Sequence, residues 1–559
     1  MPPPPLPNRL FYILVAVGVL LNATGLIPPI LEPDGALYAC LTKNIAQSGD
    51  FVNLYAVGAD WLDKPHFPFW AAAVSYRLFG INAFAYKLPA LLFFLGGVVY
   101  TYQFARLAYN QLVAQVAALV LLTAFHTALS NSDVRAEPYL TGLIIGAVYH
   151  YYRVFRGAPT YHIVLGALLT GCALMTKGPF VLVPIGAGLV VHWLLTGNAR
   201  ELLRPRWYVA VGLSALFTLP ELYCLYQQFD LHPEKVVFGR TGTSGVKFFL
   251  WDSQFGRFFN TGPIKGQGDK LFFVHTLLWA FLPWSLPLYV AIGRALAGLF
   301  RRRTDALPEY VSLGSGLATF GLFSLSGFQL PHYLNIAFPF YAVLTAQFLV
   351  GLAPTALRRW SIGQTVIAAL LVVLTMLLLL LVRPVQLGVA LLFVGVVTLD
   401  GIIWFRDHTL ASLLGRMVGT MLVLMGVLNG YLYPTFMQYQ AGMTAARTVN
   451  AQANVRRQPT ILYLPGTGPG GGSFWTYEFY RTGPVYYART DSTLRRQLRR
   501  TPASVFTTTE DAEALTLRGF RVRQIALFPY FHITELTYPF LNHDTRPQTL
   551  SLYVLAEVR

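Results

Sequence analysis

The sequence predicts an all-α polytopic membrane protein that carries a small soluble α/β domain after its last span. Three observations lead there. The 559 residues are 55% hydrophobic with a mean hydropathy of +0.49, and many apolar runs approach the ~20 residues a helix needs to cross a bilayer. The arginines fall in short clusters between those runs, and the runs stop near residue 433, where shorter β-rich segments begin.

About 13 spans are expected. They lie near residues 10–30, 88–107, 112–130, 138–155, 161–176, 178–195, 207–226, 271–293, 309–326, 332–350, 361–382, 386–405 and 413–433. Every second connection holds arginine: Arg106, then Arg153 and Arg156, then Arg200, Arg204 and Arg206, then Arg301, Arg302 and Arg303, then Arg358 and Arg359, then Arg406 and Arg416. The positive-inside rule puts these connections and Arg9 in the cytoplasm. The alternate connections, chiefly 31–87, 131–137 and 227–270, then face outward, as does the tail from 434 to 559. The start, MPPPPLPNRL before an apolar run without a small-residue cleavage site, reads as a tail and a retained helix.

Composition also excludes. A net charge of +17 is the footprint of nucleic-acid binding when it gathers in one patch, but here it follows membrane orientation, so no nucleic-acid partner is expected. Cys40, Cys172 and Cys224 have no framework or zinc-knuckle spacing. LPGTGPGGGSFW at 464–475 lacks the GK[ST] ending of a phosphate loop and any following helix signal, so a turn is expected. The tail should form strands at 461–464, 504–506 and 551–558 around a helix at 511–519.

The unusual polar residues gather in the outer segments. Asp34, in LEPDGALYA, precedes a short helix in which Leu37, Leu41 and Ile45 form one apolar stripe suited to the membrane surface, ended by Ser48-Gly49. The aspartate reads as a helix cap or as a carboxylate aimed at an attacking hydroxyl. WLDKPHFPFW at 61–70 sets Asp63 and Lys64 in an aromatic frame stiffened by Pro65 and Pro68. Lys64 reads as a snorkelling side chain or as a point charge for a lipid phosphate. SNSDVRAEPYL at 130–140 holds Asp133, Arg135 and Glu137 just before a span. Glu137 caps that helix, or belongs to a sugar and phosphate site, since ionisable groups so near hydrocarbon are expensive. Lys177 in TKGP and His332 in FSLSGFQLPHYLNIAFP have ordinary readings as a helix-end cation and a hydrogen-bonded structural histidine. The 227–270 loop is basic, which points to anionic lipid or phosphate.

In order, the pieces DGALYA, SGD, DKP, LFGINAFAYKLP, RAEPYLT, TKGP and FSLSGFQLPHYLNIAFP resemble the bacterial branch of the protein O-mannosyltransferase superfamily (glycosyltransferase family 39), near the aminoarabinose transferases that modify lipid A. The resemblance runs along roughly residues 10–440. It implies the C-type glycosyltransferase fold, with a membrane domain at 1–433 and a soluble domain at 434–559. It also implies one-sugar transfer from a polyprenyl-phosphate donor, such as an undecaprenyl phosphate sugar, to a glycolipid, glycan or protein at the outer face of the bacterial inner membrane. By the same resemblance the catalytic acids are Asp34 and Glu137, and the donor phosphate meets Lys64, Arg135 and Lys177. Asp63 and His332 are candidates for a divalent metal (Zn, Mg or Mn), which no residue pattern here requires. Relatives carry glutamate at position 63, aspartate at 137 and a lysine where Gln329 stands. A flippase or transporter of lipid-linked sugars is the competing reading, and it would break its spans with charge or Gly/Pro at the midplane.

Overall fold

A computed structural model describes residues 5–301, 307–452, 458–465 and 472–559. Arg302 and Arg303 of the fourth arginine cluster, the first four residues of the proline tail and 466–471 of the glycine-rich stretch lie outside the described residues.

All thirteen apolar stretches are helical. Among the described residues seven helices are long and apolar enough to cross a membrane: Asn8–Leu26, Ala83–Ala108, Pro205–Asp230, Pro331–Val350, Pro354–Val382, Leu387–Trp404 and Leu410–Tyr439. Five more apolar helices are shorter, such as Gln111–Thr123 and Tyr161–Lys177. The stretch expected as one span at 271–293 is two helices, Phe272–Ala280 and Ser285–Phe300. Burial separates inner from outer helices. The apolar window of Pro331–Val350 is 89% buried, whereas that of Leu387–Trp404 is 11% buried, so the latter presents its side chains outward as a lipid-facing helix must. Helix pairs close through small residues. A Cβ on Gly142 would stand 2.1 Å from the Phe93 carbonyl, so only glycine lets Glu137–Phe155 lie against Ala83–Ala108.

Asp34–Ser48 is the short helix the apolar stripe predicts, and it ends at Gly49, in the left-handed region at φ 76°. Its stripe does not lie on the membrane surface. Leu37, Leu41 and Ile45 are all buried in the protein core, because the helix is covered by Phe67–Phe79 on one side and by Gly472–Tyr480 of the tail on another.

The strands are β1 (Tyr55–Ala56), β2 (Ala59–Asp60), β3 (Thr460–Tyr463), β4 (Val485–Ala488), β5 (Ser504–Thr508), β6 (Val522–Tyr530) and β7 (Ser551–Val558). β1 and β2 form a small hairpin in the 31–87 connection. The tail is one five-stranded sheet of order β4-β3-β5-β7-β6, parallel at β4-β3-β5 and antiparallel at β5-β7-β6. The three expected strands and the expected helix, Thr509–Leu517, are present. Contrary to the sequence expectation, a helix does follow the glycine-rich stretch, at Gly472–Tyr480.

That helix is tied to the helix bearing Asp34 by buried polar bonds. Lys43 Nζ donates to the carbonyls of Glu478, Phe479 and Arg481 at 2.6, 3.0 and 2.8 Å, placing a cation on the helix C-terminus. The Cys40 thiol donates to Trp475 O at 3.0 Å, and Thr476 Oγ1 donates to Glu32 Oε2 at 3.1 Å. Burial pushes the Glu32 carboxyl up to about 8 against the opposing Thr476 bond. The folded protein therefore holds a proton that the unfolded chain releases above its ordinary 4.5, and stability falls as pH rises between these two values. Thermal unfolding between pH 5 and pH 8 should show this slope, and Glu32→Gln should flatten it. An unchanged slope in that variant would assign the pH dependence elsewhere.

Candidate active site

Asp34, Asp63, Lys64, Arg135, Glu137, Lys177 and His332, drawn from five separated segments, all line one cavity of about 680 Å³. Arg257 from the 227–270 loop joins them. Four cations thus face three carboxylates, leaving the cavity short of negative charge.

The ion pairs give each acid a different task. Asp34 opens its helix without capping it, since no side-chain cap bond forms there. Its Oδ2 accepts instead from Arg135 Nη1 at 2.8 Å. Arg135 Nε also donates to Asp133 Oδ2 at 3.1 Å, so this guanidinium is held by two carboxylates, and their charges raise its pKa despite burial. Asp34 is the most open of the acids, its side chain 36% exposed against 11% for Asp63 and 2% for Glu137.

Asp63 is gripped by Lys64 on one oxygen and by Arg257 on the other. Burial alone would raise its pKa, but these two cations outweigh that and hold it below the ordinary range. Lys64 is pulled down by burial, with Asp63 opposing. Glu137 likewise does not cap its helix. It pairs with Lys177, whose ammonium also sits 3.9 Å from the centre of the Tyr333 ring. Glu137 lines the cavity but is almost fully buried and paired with Lys177.

The DKP turn is anchored by a residue the sequence reading left without a role. His66 N donates to Glu221 Oε2 at 2.9 Å, while its Nδ1 lies 3.0 Å from Glu221 Oε1 and its Nε2 3.0 Å from the Val52 carbonyl. Both ring nitrogens thus face acceptors, which a doubly protonated imidazole satisfies. Burial opposes that charge, but Glu221 outweighs it and the pKa is raised.

Asp63 and His332 do not form the expected metal site. Both Asp63 oxygens are engaged by cations, and His332 Nε2 lies 3.9 Å from Glu137 Oε1. Among the described residues no group of three His, Cys, Asp or Glu is placed to hold a metal ion. These residues do not fit a resident divalent cation, which takes oxygen and imidazole ligands free of competing positive charge.

A second cavity, about 1010 Å³ of empty space, abuts the first and is walled by Phe180, Val183, Phe255, Phe258, Phe259 and Phe323. Lys177, Arg257, Phe328 and Tyr333 line both. The polar cavity therefore shares a wall with an aromatic groove, and two cations stand in that wall. In the sequence Arg257 is one of several charges in the basic 227–270 loop. Its flanks, QFGRFF, carry the signal that would have singled it out, a cation in a run of aromatics.

This fold is that of the C-type membrane glycosyltransferases. The crystal structure of ArnT from Cupriavidus metallidurans bound to undecaprenyl phosphate matches with a TM-score of 0.74 over 98% of this chain and 97% of that one, at 19% identity. Residues 63–223 match the family model described as dolichyl-phosphate-mannose-protein mannosyltransferase, so the resemblance read from the motifs holds. Among curated proteins, an uncharacterized protein of Aquifex aeolicus is 27% identical over 57% of this chain and 59% of its own length. The undecaprenyl phosphate-alpha-4-amino-4-deoxy-L-arabinose arabinosyl transferase of Edwardsiella ictaluri is 26% identical over 65% of this chain and 63% of its own. The chain thus spans about three-fifths of the length of these relatives.

Proposed function

We propose that the protein is an integral-membrane glycosyltransferase of the bacterial inner membrane. It moves one sugar from a polyprenyl-phosphate donor to an acceptor at the outer face, with inversion at the anomeric carbon. One observation carries the reading: the cationic cavity joins an aromatic groove through Lys177 and Arg257. An amphiphile with a long apolar tail and a phosphate head fits that junction, the tail in the groove and the phosphate against the cations. The undecaprenyl phosphate sugar in the name of the Edwardsiella ictaluri transferase, and the undecaprenyl phosphate bound to the Cupriavidus metallidurans ArnT, have this chemistry.

The steps follow from the residues. Lys64, Lys177 and Arg257 take the donor phosphate and stabilise the charge that develops on it as the sugar departs. The leaving phosphate monoester has a second pKa of about 6, so near neutral pH it leaves without a general acid. Asp34, held by Arg135 and open to the cavity, accepts the proton of the acceptor hydroxyl as its oxygen attacks the anomeric carbon. His66 and Glu221 fix the DKP turn from behind. A lipid A-like glycolipid, a glycan or a protein hydroxyl meets the chemical requirement for an acceptor. The arginine-bearing connections orient the site outward. A flippase would need ionisable groups along a path through the bundle, whereas the paired groups around Asp34 gather at one end of it.

Native mass spectrometry of the purified protein tests the donor class. Undecaprenyl phosphate should stay bound, and undecaprenol, which lacks the phosphate, should not. Equal retention of the two would rule out a phosphate clamp. The pairing of Asp63 further predicts that EDTA leaves transfer activity unchanged; loss on chelation with recovery by zinc, magnesium or manganese would contradict it.

A further inference from the structure

The cavity holds a residue from the far end of the chain. Trp475, on Gly472–Tyr480, lines it together with Asp34, Leu37, Tyr38 and Trp61. The position is fixed from several sides. Lys43 caps the end of that helix and Cys40 bonds the Trp475 carbonyl itself. Glu478, one turn on, accepts from Val57 N at 3.0 Å and from Asn44 Nδ2 at 3.4 Å. Burying a lysine is expensive unless its protons are taken, and this one is committed wholly to holding the tail's helix against the helix of Asp34.

Sidedness follows from the shared walls. The aromatic groove and the cavity have Lys177, Arg257, Phe328 and Tyr333 in common, and that wall belongs to the donor. Trp475, Trp61 and Asp34 line the cavity and not the groove. The Trp61 indole N–H is buried and, among the described residues, has no hydrogen-bond partner. An indole gives a flat apolar face with one N–H at its edge. A pyranose ring has the complementary form, with C–H bonds on its face and hydroxyls at its rim.

We propose that Trp475 is an acceptor-binding residue whose indole stacks on a sugar ring, so that the acceptor is a saccharide, free or on a glycolipid, and the C-terminal domain supplies part of the active site. This rests on the transferase reading above. The tail's helix is then more than a cover for the site.

The test uses the reconstituted full chain, an undecaprenyl phosphate sugar as donor, and either a lipid A-type glycolipid or a serine-rich peptide as acceptor. Trp475→Ala should raise KM for the glycolipid by about tenfold, the scale of one lost aromatic contact. Donor retention should be unchanged, and Trp475→Phe should restore most of the loss. An unchanged glycolipid KM in Trp475→Ala would overturn the proposal, as would equal loss of donor retention in both variants or preference of the wild type for the peptide. A wild type that retains donor yet never releases undecaprenyl phosphate with any acceptor would instead overturn the transferase reading beneath it.

Discussion

Replacing Asp34 by asparagine is expected to lower turnover by about 10²–10⁴-fold, the range for removal of a general base, with donor binding intact. The reason is its exposure. Asp63 and Glu137 are closed off by their cations, whereas Asp34 keeps a face open to the cavity while Arg135 holds the other. Asparagine preserves the shape and can still accept from Arg135, so thermal stability should stay near that of wild type. The readout is single-turnover release of polyprenyl phosphate at saturating donor. Near-full turnover would remove Asp34 from the role of base.

The second large effect is expected at Lys64. Lys64→Met keeps the length of the side chain and removes the charge facing the leaving phosphate, and a loss on the order of 10²–10³-fold in kcat is expected, as for one donor of a preorganised anion site. In this variant Asp63 keeps its pair with Arg257, so a melting temperature near that of wild type should accompany the loss of kcat. A loss of kcat that merely follows a loss of folded protein would show that Lys64 serves the fold rather than the phosphate.

Much of this architecture is legible in the sequence because a bilayer imposes length and polarity on every span. The helices at Pro354–Val382 and Leu387–Trp404 follow directly from apolar run length. The site was legible as a set of residues but not as pairs. Asp34 and Arg135 stand 101 positions apart, Asp63 and Arg257 194 apart, and Glu137 and Lys177 40 apart. Local sequence supports capping roles for Asp34 and Glu137, and tertiary packing overrides them by presenting a guanidinium and an ammonium at closer reach. Gly472–Tyr480 was missed for a similar reason. Its GSFWTYEFY has no helix start signal, and the lysine that caps it lies some 435 positions earlier. β6 was hidden by Pro529, which is tolerated because β6 is the edge of the sheet.

The most direct test of the central claim is a mass balance in proteoliposomes. It follows sugar lost from a polyprenyl-phosphate donor and sugar gained by a glycolipid acceptor in the same sample, for wild type and Asp34→Asn. The account predicts equal loss and gain, one free polyprenyl phosphate for each sugar moved, and neither in the variant. Donor that stays intact while crossing the bilayer would contradict it and make the protein a flippase.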